Sequence, residues 1–279
     1  MIVWMTGASS GLGLHTAKAL SDMGHTVLAG ARSFPADSNA PKKDDDGILR
    51  HALDVTDDGS VDAFCRWALS VSPAVDAIVH CAGILVLGPS EETSVEEYLH
   101  VMDTDFLGMV RMNQRVLPVM RAQGHGRIIM FSSINGLLGI PFQSAYTAAK
   151  HAVEGYAECL QMEVEPFGIQ VCLVEPGDHR SGSSRCRLHV EEREDSPYRE
   201  ACLKGTGVIA RDENGGSDPE ILGRKVGKLL SRHRMPFRKR IASADQHLAV
   251  VLHDVLPPRL NNLILTKYYT GGKKTEGRA

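Results

Sequence analysis

Thr6-Gly7-Ala8-Ser9-Ser10-Gly11-Leu12-Gly13 stands directly behind a short apolar run, Ile2-Val3-Trp4-Met5, and leads into Leu12–Leu20, whose apolar spacing is helical. A strand, a glycine-rich turn and a helix in that order make an anion cradle. Gly7, Gly11 and Gly13 let the backbone turn tightly and approach a pyrophosphate, whose charge then meets the amides and dipole at the helix N-terminus. Ser9, Ser10 and Leu12 share the loop and are expected at the same ligand. Three glycines alone are a weak signal. The reading gains strength far downstream, at Tyr146-x-x-x-Lys150 with Ser133 thirteen positions before the tyrosine.

Outward from that loop, apolar runs with the character of buried parallel strands recur at Ile2–Met5, Thr26–Ala31, Leu49–Leu53, Ala77–His80, Arg127–Phe131 and Ile169–Glu175. Helical patterns fall between them near Gly11–Met23, Asp57–Ser70, Ser94–Gln123 and Ala145–Pro166, with Gly24, Gly124, Gly126 and Gly168 as expected stops. The alternation predicts an α/β, doubly wound sheet with right-handed crossovers. Phe34–Gly47 reads as a polar surface loop. After Pro176-Gly177 the alternation fades, and 178–217 reads as a lid or mobile loop. Thr270–Ala279 reads as a frayed tail.

The 279 residues suit one domain, 1–269, made of a cofactor and catalytic core (1–177) and a substrate loop with C-terminal elements (178–269). A net charge of −3 argues against a dedicated nucleic-acid binder. The six cysteines (65, 81, 159, 172, 186, 202) show no C-x-x-C spacing and sit mostly in apolar segments, so free buried thiols are expected and no metal. No run reaches the ~18 apolar residues of a membrane span, and the first strand begins at residue 2, which leaves no room for a leader. The setting expected is cytoplasmic.

A second half of the dinucleotide site follows the second strand. Arg32 stands where such folds meet the adenosine ribose; an acid there suits a free 2′-hydroxyl, an arginine a 2′-phosphate. With Ser10 as a further donor, NADP(H) is favoured over NAD(H). Asp54-Val55, ending the third strand, is placed to meet the adenine edge, although Asp54 could equally cap the helix starting near Asp57.

Tyr146 and Lys150, four apart on a predicted helix, share one face. A free tyrosine has a pKa of about 10, too high for a base near neutrality. A neighbouring ammonium stabilises the phenolate, as does an oxidised nicotinamide ring. In reduction the phenol would protonate a carbonyl oxygen while hydride arrives at carbon, and Ser133 would hydrogen-bond the same oxygen. Tyr269-x-x-x-Lys273 repeats the spacing, but Gly271-Gly272 interrupts it and no strand-end serine precedes it; that copy reads as coincidence.

Thr6–Gly13, Cys81-Ala82-Gly83, Ser133, Tyr146-x-x-x-Lys150 and Pro176-Gly177 together resemble the short-chain dehydrogenase/reductases, above all their NADP-linked 17β-hydroxysteroid and retinol dehydrogenase-like branch. The resemblance covers 1–177 closely and the rest loosely. It implies a Rossmann-type, seven-stranded parallel sheet; cofactor contacts from Cys81, Ala82, Gly83, Pro176 and Gly177; Lys150 on the nicotinamide ribose; and a homodimer or homotetramer formed through helices 94–123 and 145–166. Two departures stand out. Cys81 replaces an asparagine of the usual Asn-Ala-Gly. Asp105 replaces the catalytic asparagine, keeping its carbonyl for a relay water but adding a carboxylate that can pair with Lys150 and raise Tyr146.

The substrate pocket is expected from Ser133, Leu137, Leu138, Phe142 and Tyr146, from the segment after Gly177, and from the C-terminal elements. It reads as apolar, for a hydrophobic ketone, aldehyde or alcohol such as a steroid or retinoid. The competing reading is an NADP(H)-sensing regulatory or binding protein. It draws on the eight Arg or Lys of 224–240, which otherwise read as a solvated helix and the last strand of the sheet.

Overall fold

The structure is a computed structural model, and it describes residues 1–36, 45–182 and 187–271. Its seven-stranded, wholly parallel sheet comprises β1 (Ile2–Thr6), β2 (Thr26–Ala31), β3 (Leu49–Ala52), β4 (Ala77–His80), β6 (Gly126–Phe131), β7 (Ile169–Pro176) and β9 (Arg238–Ile241). The spatial order β3-β2-β1-β4-β6-β7-β9 reverses direction at β1, so a crevice opens beyond the carboxyl ends of β1 and β4. This is the doubly wound α/β arrangement that the alternation predicts and the Rossmann-type, seven-stranded sheet that the resemblance implies. Two further short strands, β5 (Leu85–Leu87) and β8 (Arg187–His189), pair in parallel beside that crevice.

Successive side chains on each strand point to opposite faces, and each face has its own helices. Trp4 and Leu28 meet α2 (Asp58–Val71), α4 (Gly108–Gln123) and α5 (Ser144–Val164) through Phe64, Met112, Val116, Val153 and Ala157. Val3, Met5 and Val27 meet α1 (Gly11–Asp22) and α7 (Pro219–Leu230) through Ala17, Leu20, Leu222 and Val226. The basic stretch 224–240 is therefore α7 and the edge strand β9. Arg238 binds Glu154 and Glu158, and Arg240 binds Glu175, itself fully buried.

The structure departs from the sequence expectations at several points. The helix expected over Ser94–Gln123 is α3 (Val95–Met102) and α4, joined by a π-turn at Asp103–Leu107. Gly124, with φ +71°, ends α4, whereas Gly126 opens β6. The segment 178–217 is not a continuous loop: it carries β8 and α6 (Arg199–Asn214), a helix that buries only Gly205 and Ile209 and so has little apolar rhythm. The C-terminal elements are α8 (Ala244–Val255) and α9 (Pro258–Thr270), so Thr270 closes a helix, not a tail. Cys159 is exposed and Cys81 and Cys202 are half-buried, against the expectation of burial; Cys65 and Cys172 are buried, and Cys186 lies outside the described residues. Most of the loop 34–47 also lies outside them.

Candidate active site

The glycine loop is held by contacts no larger residue would allow. A Cβ on Gly7, whose φ is +67°, would stand 2.5 Å from the Ala82 backbone, and one on Gly13 would penetrate the Gly7 carbonyl. Thr6 Oγ1 accepts the amides of Cys81 and Ala82, each at 3.2 Å, which ties the β1 loop to the β4 loop. Ser10 precedes α1 without capping it through its side chain. From this cradle a cavity of about 650 Å³ runs along the sheet edge. Every residue expected at the cofactor lines it: Gly7, Ser9–Gly13, Arg32, Asp54, Val55, Cys81–Gly83, Pro176 and Gly177. Asp54 accepts from the Thr56 amide and hydroxyl at 2.9 and 2.7 Å, while Asp57 caps α2 through the Ser60 amide. The alternative capping role of Asp54 is thus excluded.

Midway along the cavity stand Ser133, Tyr146, Lys150 and Asp105. Ser133 follows the end of β6, accepts the Asn135 amide at 3.2 Å, and lines the cavity with Tyr146. Lys150 lies 5.2 Å from the centre of the Tyr146 ring. Its Nζ donates to the Phe131 carbonyl at 3.1 Å and pairs with Asp105 Oδ2 at 3.0 Å. Asp105 Oδ1 in turn accepts the Ile84 amide at 2.7 Å. The ion pair is sealed, with side-chain exposures of 5% for Lys150 and 0% for Asp105.

Such burial decides the electrostatics. Desolvation alone would depress the lysine, but the Asp105 carboxylate and Tyr146 outweigh it and hold the ammonium above the ordinary lysine value. Tyr146 is raised, first by burial and also by Asp105, against the opposing pull of Lys150 and Ser133. Asp105 is raised by burial despite Lys150 and the Ile84 amide. The carboxylate thus opposes what the lysine does for the phenol.

At the far end the structure parts company with the apolar pocket expected. Leu138 is 2% exposed inside a core cluster with Leu87 and Ile134, and Phe142 packs towards Gly205 of α6; neither lines the cavity. Ile84, Ile134, Ile140 and Ile209 supply its apolar wall. Between them lie Asp178, Arg187, Asp212, Glu213 and Tyr269, none of which sequence reasoning singled out as site residues. Arg187 pairs with Glu213. Asp178 is pushed up to about 6 by burial and by the nearby Asp212, while Gln246 donates to its Oδ2 at 2.5 Å. Asp178 sits directly after Pro176-Gly177, a signal that was available. Asp212 and Glu213 sat in an apparent loop. Tyr269 sat in the discarded Tyr-x-x-x-Lys copy, and it serves there as cavity wall; its Lys273 lies outside the described residues.

The family model of the short chain dehydrogenases matches residues 1–187. The chain belongs to the short-chain dehydrogenase/reductase family. As a member it is an oxidoreductase of the kind that works with a nicotinamide cofactor. Among its relatives, a 3-ketodihydrosphingosine reductase of Bacteroides thetaiotaomicron is 36% identical over 269 residues, 96% of this chain and 97% of that protein. Among solved structures, a short-chain dehydrogenase from Streptomyces avermitilis superposes with a TM-score of 0.78 at 29% identity, covering 95% of this chain and 97% of that one. An alcohol dehydrogenase of Thermococcus sibiricus, complexed with 5-hydroxy-NADP, shares the fold at a TM-score of 0.69 and 23% identity, over 87% and 96% of the two chains.

Proposed function

We propose that this short-chain dehydrogenase/reductase is an NADP(H)-dependent reductase of a long-chain ketone that carries polar groups beside its carbonyl. The observation that carries the proposal is the convergence of Ser133, Tyr146 and Lys150 on one wall of the cavity, between the glycine cradle and the mixed polar and apolar far end. The cradle fits a dinucleotide, since Gly7 and Gly13 leave room only for backbone. Ser9, Ser10, Gly11, Leu12 and Gly13 would hold its pyrophosphate, Arg32 a 2′-phosphate, Asp54 and Val55 the adenine edge, and Lys150 the ribose of the nicotinamide. When bound, the cofactor supplies the hydride.

The chain supplies the proton. Tyr146 donates to the carbonyl oxygen, and the Ser133 hydroxyl stabilises the negative charge developing there. A raised tyrosine pKa keeps the phenol protonated through neutral pH, the form that donates in reduction. Lys150, pinned by Asp105 and the Phe131 carbonyl, keeps its charge below the phenol.

The substrate class follows from the far end. Ile84, Ile134, Ile140 and Ile209 suit an alkyl chain, while Asp178, Asp212 and Glu213 outnumber Arg187 and suit an amine or hydroxyls near the reacting carbon. A compound of the 3-ketodihydrosphingosine type, with amine and hydroxyl beside the ketone, meets both demands, as a plain steroid or retinoid does not. The catalytic unit is residues 1–269, in a cytoplasmic homodimer or homotetramer assembled through α4 and α5.

NADPH consumption with 3-ketodihydrosphingosine, a steroid ketone and a retinal tests this. The sphingoid ketone should be turned over best, and Tyr146→Phe should lower that rate by about three orders of magnitude. Tight NADPH binding without turnover of any carbonyl would instead support the sensing role.

A further inference from the structure

The two C-terminal helices wear their apolar side chains on the outside. On α8, Leu248, Val251 and Val255 are exposed, the last by 69%. On α9, Leu260, Leu263, Ile264 and Tyr268 recur at helical spacing along one stripe, with Leu263 exposed by 62%. The face that α9 turns inward instead carries Asn261, only 6% exposed, and Tyr269 of the cavity wall. Leu203 of α6 adds another exposed apolar side chain. Core packing leaves these positions unused, and a contiguous apolar surface of this kind marks an interaction site.

We propose that α8 and α9 form a docking face for the surface of an anionic phospholipid bilayer, lying in the interface without crossing it. Charge selects that occupant. α8 carries Asp245 and Asp254, whereas α9 holds Arg259 and Lys267 and no carboxylate, so the cationic part of the face is α9. Lys267 falls within the apolar stripe, where its methylene stem can lie along the apolar surface while the ammonium meets a lipid phosphate. Lys204 places a further ammonium beside Gly271 at the end of α9. None of these three cations forms an ion pair among the described residues. A second copy set with α9 on α9 places Lys267 near its own copy, whereas one set with α9 on α8 brings Asp245 and Asp254 to the cations; the oligomeric state in solution tests that occupant. Among the described residues no helix is long and apolar enough to cross a membrane, so contact is with the surface.

The face also borders the cavity. Ile209 on α6 and Tyr269 on α9 line it from within, and α6 and α9 are joined by Tyr268, whose hydroxyl donates to Asp212 at 2.7 Å. The apolar stripe and the cavity wall are thus two faces of the same pair of helices.

Sedimentation of the full chain with vesicles of phosphatidylcholine, alone or with 30% phosphatidylglycerol (~30%, chosen for a negative surface potential), tests the face without any substrate. The protein should partition to the anionic vesicles and be released by salt. The double substitution Leu263→Gln, Ile264→Gln should reduce partitioning at least about tenfold, as should Lys267→Glu. The substituted side chains all lie on the exposed side of α9, and turnover of a short, water-soluble ketone should stay unchanged, which separates loss of docking from loss of fold. Wild type remaining in the supernatant at low salt would overturn the proposal. So would equal binding by the double variant, or a concentration-dependent oligomer of wild type that the double variant dissociates, which would assign the face to a second copy.

Discussion

The two ends of the cavity are built by opposite means. The cradle end is backbone: Gly7 and Gly13 press against the chain itself, Thr6 ties two loops, and the residues involved come from short, local stretches behind β1, β2, β3 and β4. The far end is side chain: Asp178, Arg187, Asp212, Glu213 and Tyr269 arrive from four separate segments, with Arg187 paired to Glu213 and Asp178 held by Gln246. An end built of backbone tolerates almost no substitution and serves one ligand. An end built of side chains can be altered residue by residue, which is how one fold comes to serve many substrates.

The sharpest way to break this contrast is Gly13→Ala. Its Cβ would invade the Gly7 carbonyl, and an overpacking cost of about 1–3 kcal/mol should weaken NADPH binding about ten- to a hundredfold in a fluorescence titration. Next in size is Arg32→Glu, which should reverse the preference between NADPH and NADH, read as the ratio of kcat/KM for the two, because a carboxylate repels a 2′-phosphate and accepts from a 2′-hydroxyl.

Asp105→Asn addresses the junction of the two ends. Asp105 raises Tyr146, so its removal should move the limb of alcohol oxidation that requires the phenolate to lower pH, while the Asn carbonyl can still accept the Ile84 amide. An unmoved pH–rate profile would remove Asp105 from the proton path. The smallest effect belongs to Asp178→Asn. Its folded pKa, about 6, lies above the unfolded value of 3.8, so the folded state holds the proton longer. The stability attached to that group is complete below the unfolded pKa and is lost as pH rises towards 6. The neutral variant escapes that loss, and its Tm should exceed wild type by a margin that grows from pH 4 to 6 and then levels off.

The same contrast explains what the sequence made legible. Gly7, Gly11, Gly13, Tyr146 and Lys150 act through local spacing, and local spacing is written in the chain. The doubly wound class follows from the alternation of strands and helices, whereas the strand order does not. Asp105 also showed itself, because it stands where an asparagine was expected. The π-turn around it did not: Met102-Asp103-Thr104-Asp105-Phe106-Leu107 keeps helical periodicity, and one extra residue per turn leaves no compositional mark. Helix α6 was missed because its burial is confined to Gly205 and Ile209. Asp212 and Tyr269 meet only through the path of α6 and α9, which no spacing records. Gly126 was misplaced because a glycine at a strand start and one after a helix look alike in sequence.

Phe142 is, among the described residues, the one non-glycine with a left-handed backbone, at φ +65°. That conformation costs about 1–2 kcal/mol and persists only where its surroundings enforce it. It stands four residues before Tyr146, and the Phe142 ring fills the space a Cβ on Gly205 would need, 2.7 Å away. The catalytic helix and the helix that walls the far end are therefore latched together by one ring seated on one glycine. A side chain larger than hydrogen at Gly205 would displace the Phe142 ring, and with it the loop that leads into the tyrosine's helix.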